Sequence, residues 1–247
     1  MSVFQIRRCL LPAVGLLLAL ALTAGCGVGL VVGSGKTVTE ERAISGVEGV
    51  ALSFVGDLRI KQGDEEKLVI TGDDNVLPLI TTEVKDGVLT IGSKSTFGIP
   101  SINDLRYDLT VRNLDSLQLS GAGNAEMDGL ETPELAVGVS GAGNLSIKDL
   151  QADRVTANLS GVGNLELAGK ANRQAISLSG AGSYSGGDLE TGSTDITLSG
   201  LGGATVWAAE SLNATISGAG NIEYYGKPDV TSEISGLGNV TSKGDKK

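Results

Sequence analysis

Ser120-Gly-Ala-Gly-Asn124, Ser140-Gly-Ala-Gly-Asn144, Ser160-Gly-Val-Gly-Asn164, Ser179-Gly-Ala-Gly-Ser183, Ser199-Gly-Leu-Gly-Gly203, Ser217-Gly-Ala-Gly-Asn221 and Ser235-Gly-Leu-Gly-Asn239 recur through the second half of the chain, with serines 20, 20, 19, 20, 18 and 18 residues apart. A period of that size marks a stack of similar coils, each burying its apolar face on its neighbours. Immediately before the serines stand Leu119, Val139, Leu159, Leu178, Leu198, Ile216 and Ile234, all aliphatic; one place earlier stand Gln118, Gly138, Asn158, Ser177, Thr197, Thr215 and Glu233. That alternation of period two predicts a strand with one buried face. It resumes after each pentapeptide. A first inward column holds Ala125, Leu145, Leu165, Tyr184, Ala204, Ile222 and Val240, a second holds Met127, Ile147, Leu167 and Val206, and Leu130, Leu150 and Leu189 supply a third apolar corner. Equivalent positions stacked coil upon coil predict an all-β fold, a right-handed parallel β-helix, because parallel crossovers wind right-handed.

Within each pentapeptide, two glycines around a small residue predict a sharp bend with positive φ. Asparagine at the fifth place predicts a ladder of side-chain hydrogen bonds running up the stack, and serine a bond to the turn backbone. Ser120, Asn124, Ser140, Asn144, Ser160, Asn164, Ser217, Asn221, Ser235 and Asn239 are therefore read as a structural turn ladder. Upstream, residues 40–112 alternate in short runs such as Val50–Phe54, Leu58–Ile60, Leu68–Ile70 and Leu89–Ile91, separated by turn residues, with Pro78 and Pro100 at edges or loops. Ser53-Phe-Val-Gly-Asp-Leu-Arg-Ile60 aligns with Ser140-Gly-Ala-Gly-Asn-Leu-Ser-Ile147 and reads as a degenerate early coil, so this part begins or caps the same solenoid.

The N-terminus reads as a targeting segment: Arg7 and Arg8, then an apolar run from Leu10 to Leu22, ending in Leu22-Thr-Ala-Gly-Cys26. The ending resembles a bacterial lipobox, which implies cleavage before Cys26 and lipidation of that residue. Acyl chains contribute ~0.8 kcal/mol per buried CH₂, enough for stable anchoring when more than one is attached. Removing residues 1–25 of 247 leaves 222, and of the 19 basic residues only Arg7 and Arg8 are lost, leaving 17 against 29 acidic ones. The expected organisation is a signal peptide at 1–25, a lipidated tether at 26–39, a β-helical domain at 40–242 with regular repeats over 114–242, and a charged tail at 243–247.

An acidic chain with 3% aromatic residues lacks the basic footprint that nucleic acid requires. The chain has no histidine, which excludes Ser-His-Asp triads and histidine-based zinc sites. No cofactor or metal motif is present; the aspartates of Gly72-Asp-Asp-Asn75 could meet a cation but read first as solvated turn residues. Glu126 and Glu166 share an outward column with Ser146 between them, roughly 10 Å apart at the strand spacing. That is a remote fit to a polysaccharide-active pair of carboxylates. Trp207, Tyr224 and Tyr225 are the aromatic cluster of the late coils, where the ladder breaks at Ser183 and Gly203 and the spacing shortens. They read either as a ligand contact or as a cap on the core.

The repeated Ser-Gly-Ala-Gly-Asn, with Gly220-Asn-Ile222, Glu41-Arg42, Ile60-Lys-Gln-Gly63 and Thr82-Glu-Val-Lys-Asp-Gly-Val-Leu-Thr-Ile91, resembles the auto-transporter adhesin head, or GIN domain, family of the bacterial envelope. The resemblance spans about residues 40–240. It implies an exported β-helical protein, usually lipid- or membrane-anchored, with no catalytic motif to carry over. Two readings of different class fit: a non-catalytic envelope binding module whose partner is a glycan or envelope protein, and a structural envelope lipoprotein with no specific ligand. The expected location is the envelope, on the outer membrane, with the lipid as the membrane contact.

Overall fold

The computed structural model describes residues 31–94 and 105–246. The targeting segment, Cys26 and Pro100 lie outside them. From Ala122 onward each repeat is nearly one continuous strand: β9 (Ala122–Val139), β10 (Ala142–Leu159), β11 (Val162–Leu178), β12 (Ala181–Leu198) and β13 (Leu201–Ile216), followed by β14 (Ala219–Tyr225), β15 (Asp229–Ile234) and β16 (Val240–Ser242). Neighbours pair in parallel and in the register of the repeats: Asn144 faces Asn124 on one side and Asn164 on the other. The solenoid expected from the period is the observed fold.

The inward columns form the core. Leu119, Val139, Leu159, Leu178, Leu198 and Ile216 are all buried, as are Leu145, Leu165 and Ile222 of the next column. Ile234 departs from the expectation. It is 45% exposed, with Val230 at 40% and Leu237 at 79%, because among the described residues β15 pairs on one side only, with β13. Gly138, expected to face outward, is buried: the amide of Gln118 lies over it and occupies the place a Cβ would take.

The glycines of the pentapeptide serve close approach more than chain reversal. A Cβ on Gly143 would lie 1.7 Å from the carbonyl oxygen of Gly123 one coil below, and the same collision recurs up the stack. Positive φ occurs at Gly123, Gly163 and Gly202 but not at Gly143. The only break between long strands is Ser-Gly, and its stitching is made by the backbone. The carbonyl of Leu119 accepts both the Ser140 N–H at 2.9 Å and the Gly141 N–H at 3.2 Å, and Val139, Leu159, Leu178, Leu198 and Ile216 repeat the arrangement. The hydroxyls add little: those of Ser120 and Ser199 reach the preceding coil only at 3.5 Å.

Before the repeats stand β1 (Thr37–Arg42), β2 (Gly49–Leu52), β3 (Asp57–Gln62), β4 (Lys67–Asp73), β5 (Ile80–Lys85), β6 (Val88–Ser93), β7 (Arg106–Val111) and β8 (Ser116–Leu119). Strands β2 and β3 make the early coil, and their spatial order is not their chain order. On one side they pair in parallel with β8 and β9; on the other they pair in parallel with β6 and β7. The far edge is then closed by antiparallel strands, β5 on β6 and β4 on β7, with β1 outermost on β4. Antiparallel closure protects a parallel edge that would otherwise template further pairing. Pro78 sits in a single 3₁₀ turn, Leu77–Leu79, between β4 and β5.

The turn after β4 straps the entry segment. Asp73 accepts the Gly35 N–H at 3.0 Å, Asp74 accepts the Ser34 hydroxyl at 2.7 Å and pairs with Lys36 at 3.2 Å, and Asn75 donates to the Val32 carbonyl at 2.8 Å. The Ser34 hydroxyl and then Lys36 hold the Asp74 carboxyl below its ordinary range. These side chains, read from sequence as solvated or cation-binding, fasten residues 32–36 to the cap.

Candidate functional site

The asparagine ladder begins one coil before the first pentapeptide. Asn124 donates to Asp57 at 3.0 Å, Asn144 to Asn124 at 2.9 Å and Asn164 to Asn144 at 3.0 Å. Ser183 and Gly203 interrupt it, and it resumes where the Asn239 N–H meets Asn221 at 3.0 Å. Asp57 thus takes the place that its alignment with Asn144 assigned.

Differences in coil length are absorbed at the corner that follows the second inward column. Two residues separate Met127 from Leu130 and Ile147 from Leu150, the register slips there against β11, and in β13 Trp207 follows Val206 directly. Glu131, Gln151, Lys170, Glu190, Trp207 and Tyr225 consequently fall in one column. Beside the first four runs an open trough of 1540 Å³, which also reaches Gln62 and Arg112 of the early coils. Its walls are mainly acidic: Asp128, Asp149, Asp153 and Glu210 join Glu131 and Glu190, against Lys170 and Arg112. Some of this charge is bonded locally, Lys170 to Glu190 at 3.3 Å and Asn172 to Asp153 at 2.8 Å. Gln62 closes the first end, accepting the Glu131 N–H at 3.0 Å and donating to the Glu131 carbonyl at 3.1 Å.

The three aromatic residues occupy two different columns. Tyr224 packs against the core in the second inward column, above Val206. Trp207 and Tyr225 are half-buried neighbours in the outer column. The Tyr225 ring lies over Gly187, whose missing side chain leaves room for it. The Lys246 ammonium stands over both rings, 5.3 Å from the Trp207 centroid and 5.2 Å from that of Tyr225, and donates to the Gly187 carbonyl and the Asp188 carboxylate. Lys243 flanks Tyr225 at 5.6 Å and donates to Glu223 at 2.9 Å; that carboxylate holds the ammonium above its ordinary pKa.

Beneath Trp207 lies a polar network that the sequence reading missed. Five residues before each serine, Leu135, Val155 and Leu212 fill an inward column, but Gln174 and Thr194 take the same column in the middle coils. Tyr184 donates to the Gln174 carbonyl oxygen at 2.8 Å, the Gln174 amide donates to Thr194 at 2.9 Å and to Thr191 at 3.3 Å, and Thr191 donates to the Trp207 carbonyl at 2.8 Å. Thr191 has one hydroxyl proton and gives it to Trp207, so Thr194 is the donor in the 2.8 Å contact between the threonines. Every member is satisfied, and the network ties the Trp207 backbone into the core. Burial pushes the Tyr184 phenol well above its ordinary pKa, so it stays a neutral donor. Reading the column five places before each serine would have exposed the polar pair.

Glu126 and Glu166 stand in one column with Ser146 between them, as expected. They lie on a different run of the coil from the trough residues, and Glu126 pairs beside Arg59 of β3. No group of three or more potential metal-ligating side chains occurs among the described residues.

The family model described as "Putative auto-transporter adhesin, head GIN domain" matches residues 48–228. Among solved structures, a "putative adhesin" from Bacteroides fragilis is 26% identical with a TM-score of 0.84, covering 86% of this chain and 99% of its own. A "putative adhesin" from Parabacteroides merdae is 25% identical with a TM-score of 0.67, covering 86% and 98%. A "putative lipid binding protein" from Parabacteroides distasonis shares the fold at 23% identity and a TM-score of 0.72, covering 86% and 98%. No curated protein matches the sequence. The family match runs from the early coil through Trp207 and Tyr225, so the chain belongs to the auto-transporter adhesin head, or GIN domain, family.

Proposed function

We propose that this protein is a lipid-anchored, non-catalytic binding module of the bacterial envelope. In this reading Cys26 carries the lipid, the outer membrane is the destination, and the acidic trough together with the Trp207–Tyr225 pair that continues its column contacts a glycan or an envelope protein. The observation that carries it is the single column that holds Glu131, Gln151, Lys170 and Glu190 beside the trough and continues in the next coils to the half-buried rings of Trp207 and Tyr225. Regular coils present only repeated small groups, whereas this column offers carboxylates and amides for hydrogen bonds and aromatic faces for stacking. The adhesin descriptions of the family and of the similar solved structures agree with a binding role.

Two experiments test it. Cys26→Ala should leave the protein in the soluble fraction, and a variant that still sediments after a carbonate wash removes the anchor from the proposal. A glycan array and an envelope pull-down with the full chain should give a partner that Trp207→Ala loses while its melting temperature stays unchanged. Normal binding by that variant would reduce the rings to a cap, and absence of any partner would leave the structural-lipoprotein reading in its place.

A further inference from the structure

We infer that Trp207, Tyr225, Asp188 and the Gly187 carbonyl form a recognition site for a primary ammonium on an alkyl stem, the chemistry of a lysine side chain, and that Lys246 fills this site as an internal ligand. The inference rests on the reading above that the Trp207–Tyr225 pair beside the trough is a contact surface, and names the chemistry of its ligand. Two ring faces within 5.3 Å of one nitrogen supply the attraction of aromatic quadrupoles for a cation. Hydrogen bonds from that nitrogen to Asp188 and to the Gly187 carbonyl add acceptors that require N–H donors. A quaternary ammonium has none, so the site discriminates in favour of a primary amine.

The geometry is built rather than incidental. The Lys246 side chain is 25% exposed although it lies on the outside of the solenoid. Gly187 and Asp188 belong to the corner of β12 that β13 lacks, so the shortened coil opens the space that the rings line. Gly187 admits the Tyr225 ring, and the buried Thr191 hydroxyl fixes the Trp207 backbone. Lys246 follows β16 and reaches back across two coils to Asp188, 58 residues earlier in the chain. An external lysine must displace it, so the internal contact sets a threshold for binding.

Trp207 is the single tryptophan of the chain, and its fluorescence reports this site alone. The experiment titrates the full chain and its Lys246→Ala variant with Nα-acetyl-lysine-N-methylamide, with tetramethylammonium and a neutral norleucine amide as comparisons. The expected result is a shifted Trp207 emission in Lys246→Ala that the lysine probe reverses saturably. Half-saturation should come at least tenfold lower than in the unaltered chain, with no saturable response to either comparison compound. Adding Asp188→Asn to Lys246→Ala should raise half-saturation at least fivefold. The inference is overturned if Lys246→Ala shows no saturable response, or if tetramethylammonium saturates at the same concentration as the lysine probe. A positive titration with a negative envelope pull-down would retain the ammonium site and remove the envelope partner, so the two failures are distinguishable.

Discussion

Replacing Gln174 by leucine restores the apolar identity of its column yet is expected to destabilise the fold. The substitution leaves the two threonines satisfied as donors, since Thr194 still donates to Thr191 and Thr191 to the Trp207 carbonyl. It strands the Tyr184 hydroxyl, which is fully buried and donates only to Gln174. An orphaned buried donor costs about 1–3 kcal/mol. For a domain of this size that is a fall of roughly 2–12 °C in melting temperature, at about 2–4 °C per kcal/mol. Tyr184→Phe strands only the Gln174 carbonyl oxygen and falls in the same range. In the double variant no polar atom is left over from that hydrogen bond, so its loss should be at least about 1 kcal/mol smaller than the sum of the two single losses. Denaturant unfolding followed by far-ultraviolet circular dichroism measures all four corners of the cycle. Single losses that add within about 0.5 kcal/mol would refute the coupling between Tyr184 and Gln174.

Three further outcomes test the stack. Gly143→Ala places a Cβ 1.7 Å from the Gly123 carbonyl oxygen and should cost about 3 kcal/mol or more, read as a fall in melting temperature, whereas exposed Ala142→Ser should be neutral. Leu159→Asp combines a lost aliphatic side chain, about 2–5 kcal/mol, with a buried unpaired charge, so cooperative unfolding should disappear, while exposed Asn158→Asp stays within about 0.5 kcal/mol; equal melting of the two would sink the column assignment. Burial raises the folded-state pKa of Tyr107 and Tyr184 above the unfolded value, so their contribution is complete below pH about 10 and is lost as pH rises beyond it. Melting in that alkaline range should fall less steeply for Tyr184→Phe than for the unaltered chain.

Much of the architecture was legible because a repeat reports itself many times over. The aliphatic column before each serine and the alignment of Asp57 with Asn144 each identify a stacked position, and both hold in the structure, the column being buried from Leu119 to Ile216. What escaped has physical causes. Gln174 and Thr194 look like surface residues, and only their partners in three dimensions make them tolerable inside. The glycines were read for their freedom of φ, but a steric demand from the neighbouring coil is invisible in a local window. Ile234 matches its column yet is exposed, since burial depends on what lies beyond it rather than on the residue itself. Trp207 and Tyr225 were legible as a cluster, and the shortened spacing marked the place. The contribution of Gly187, Asp188 and Lys246 was not, because they come together only when the corner of β13 is missing.

The permuted order at the start of the solenoid has a consequence for how the chain assembles. The early coil, residues 49–62, finds its neighbours in residues 88–111 on one side and 116–127 on the other. A chain emerging from its N-terminus therefore cannot lay down coils one upon the next from the beginning. The first coil finds partners for one edge only in residues 88–111, and its other edge is not fully paired until residues 116–127, about the midpoint of the 247-residue chain, have appeared. Contacts of such long sequence separation form slowly, and open edges invite pairing with other chains meanwhile. Once β9 has docked, each following coil needs only the one before it, and completion proceeds by local steps. The regular coils pair only with their neighbours in the chain and can form by local steps from any of them, whereas the early coil is completed only by segments that lie on both sides of it in space and follow it in the chain.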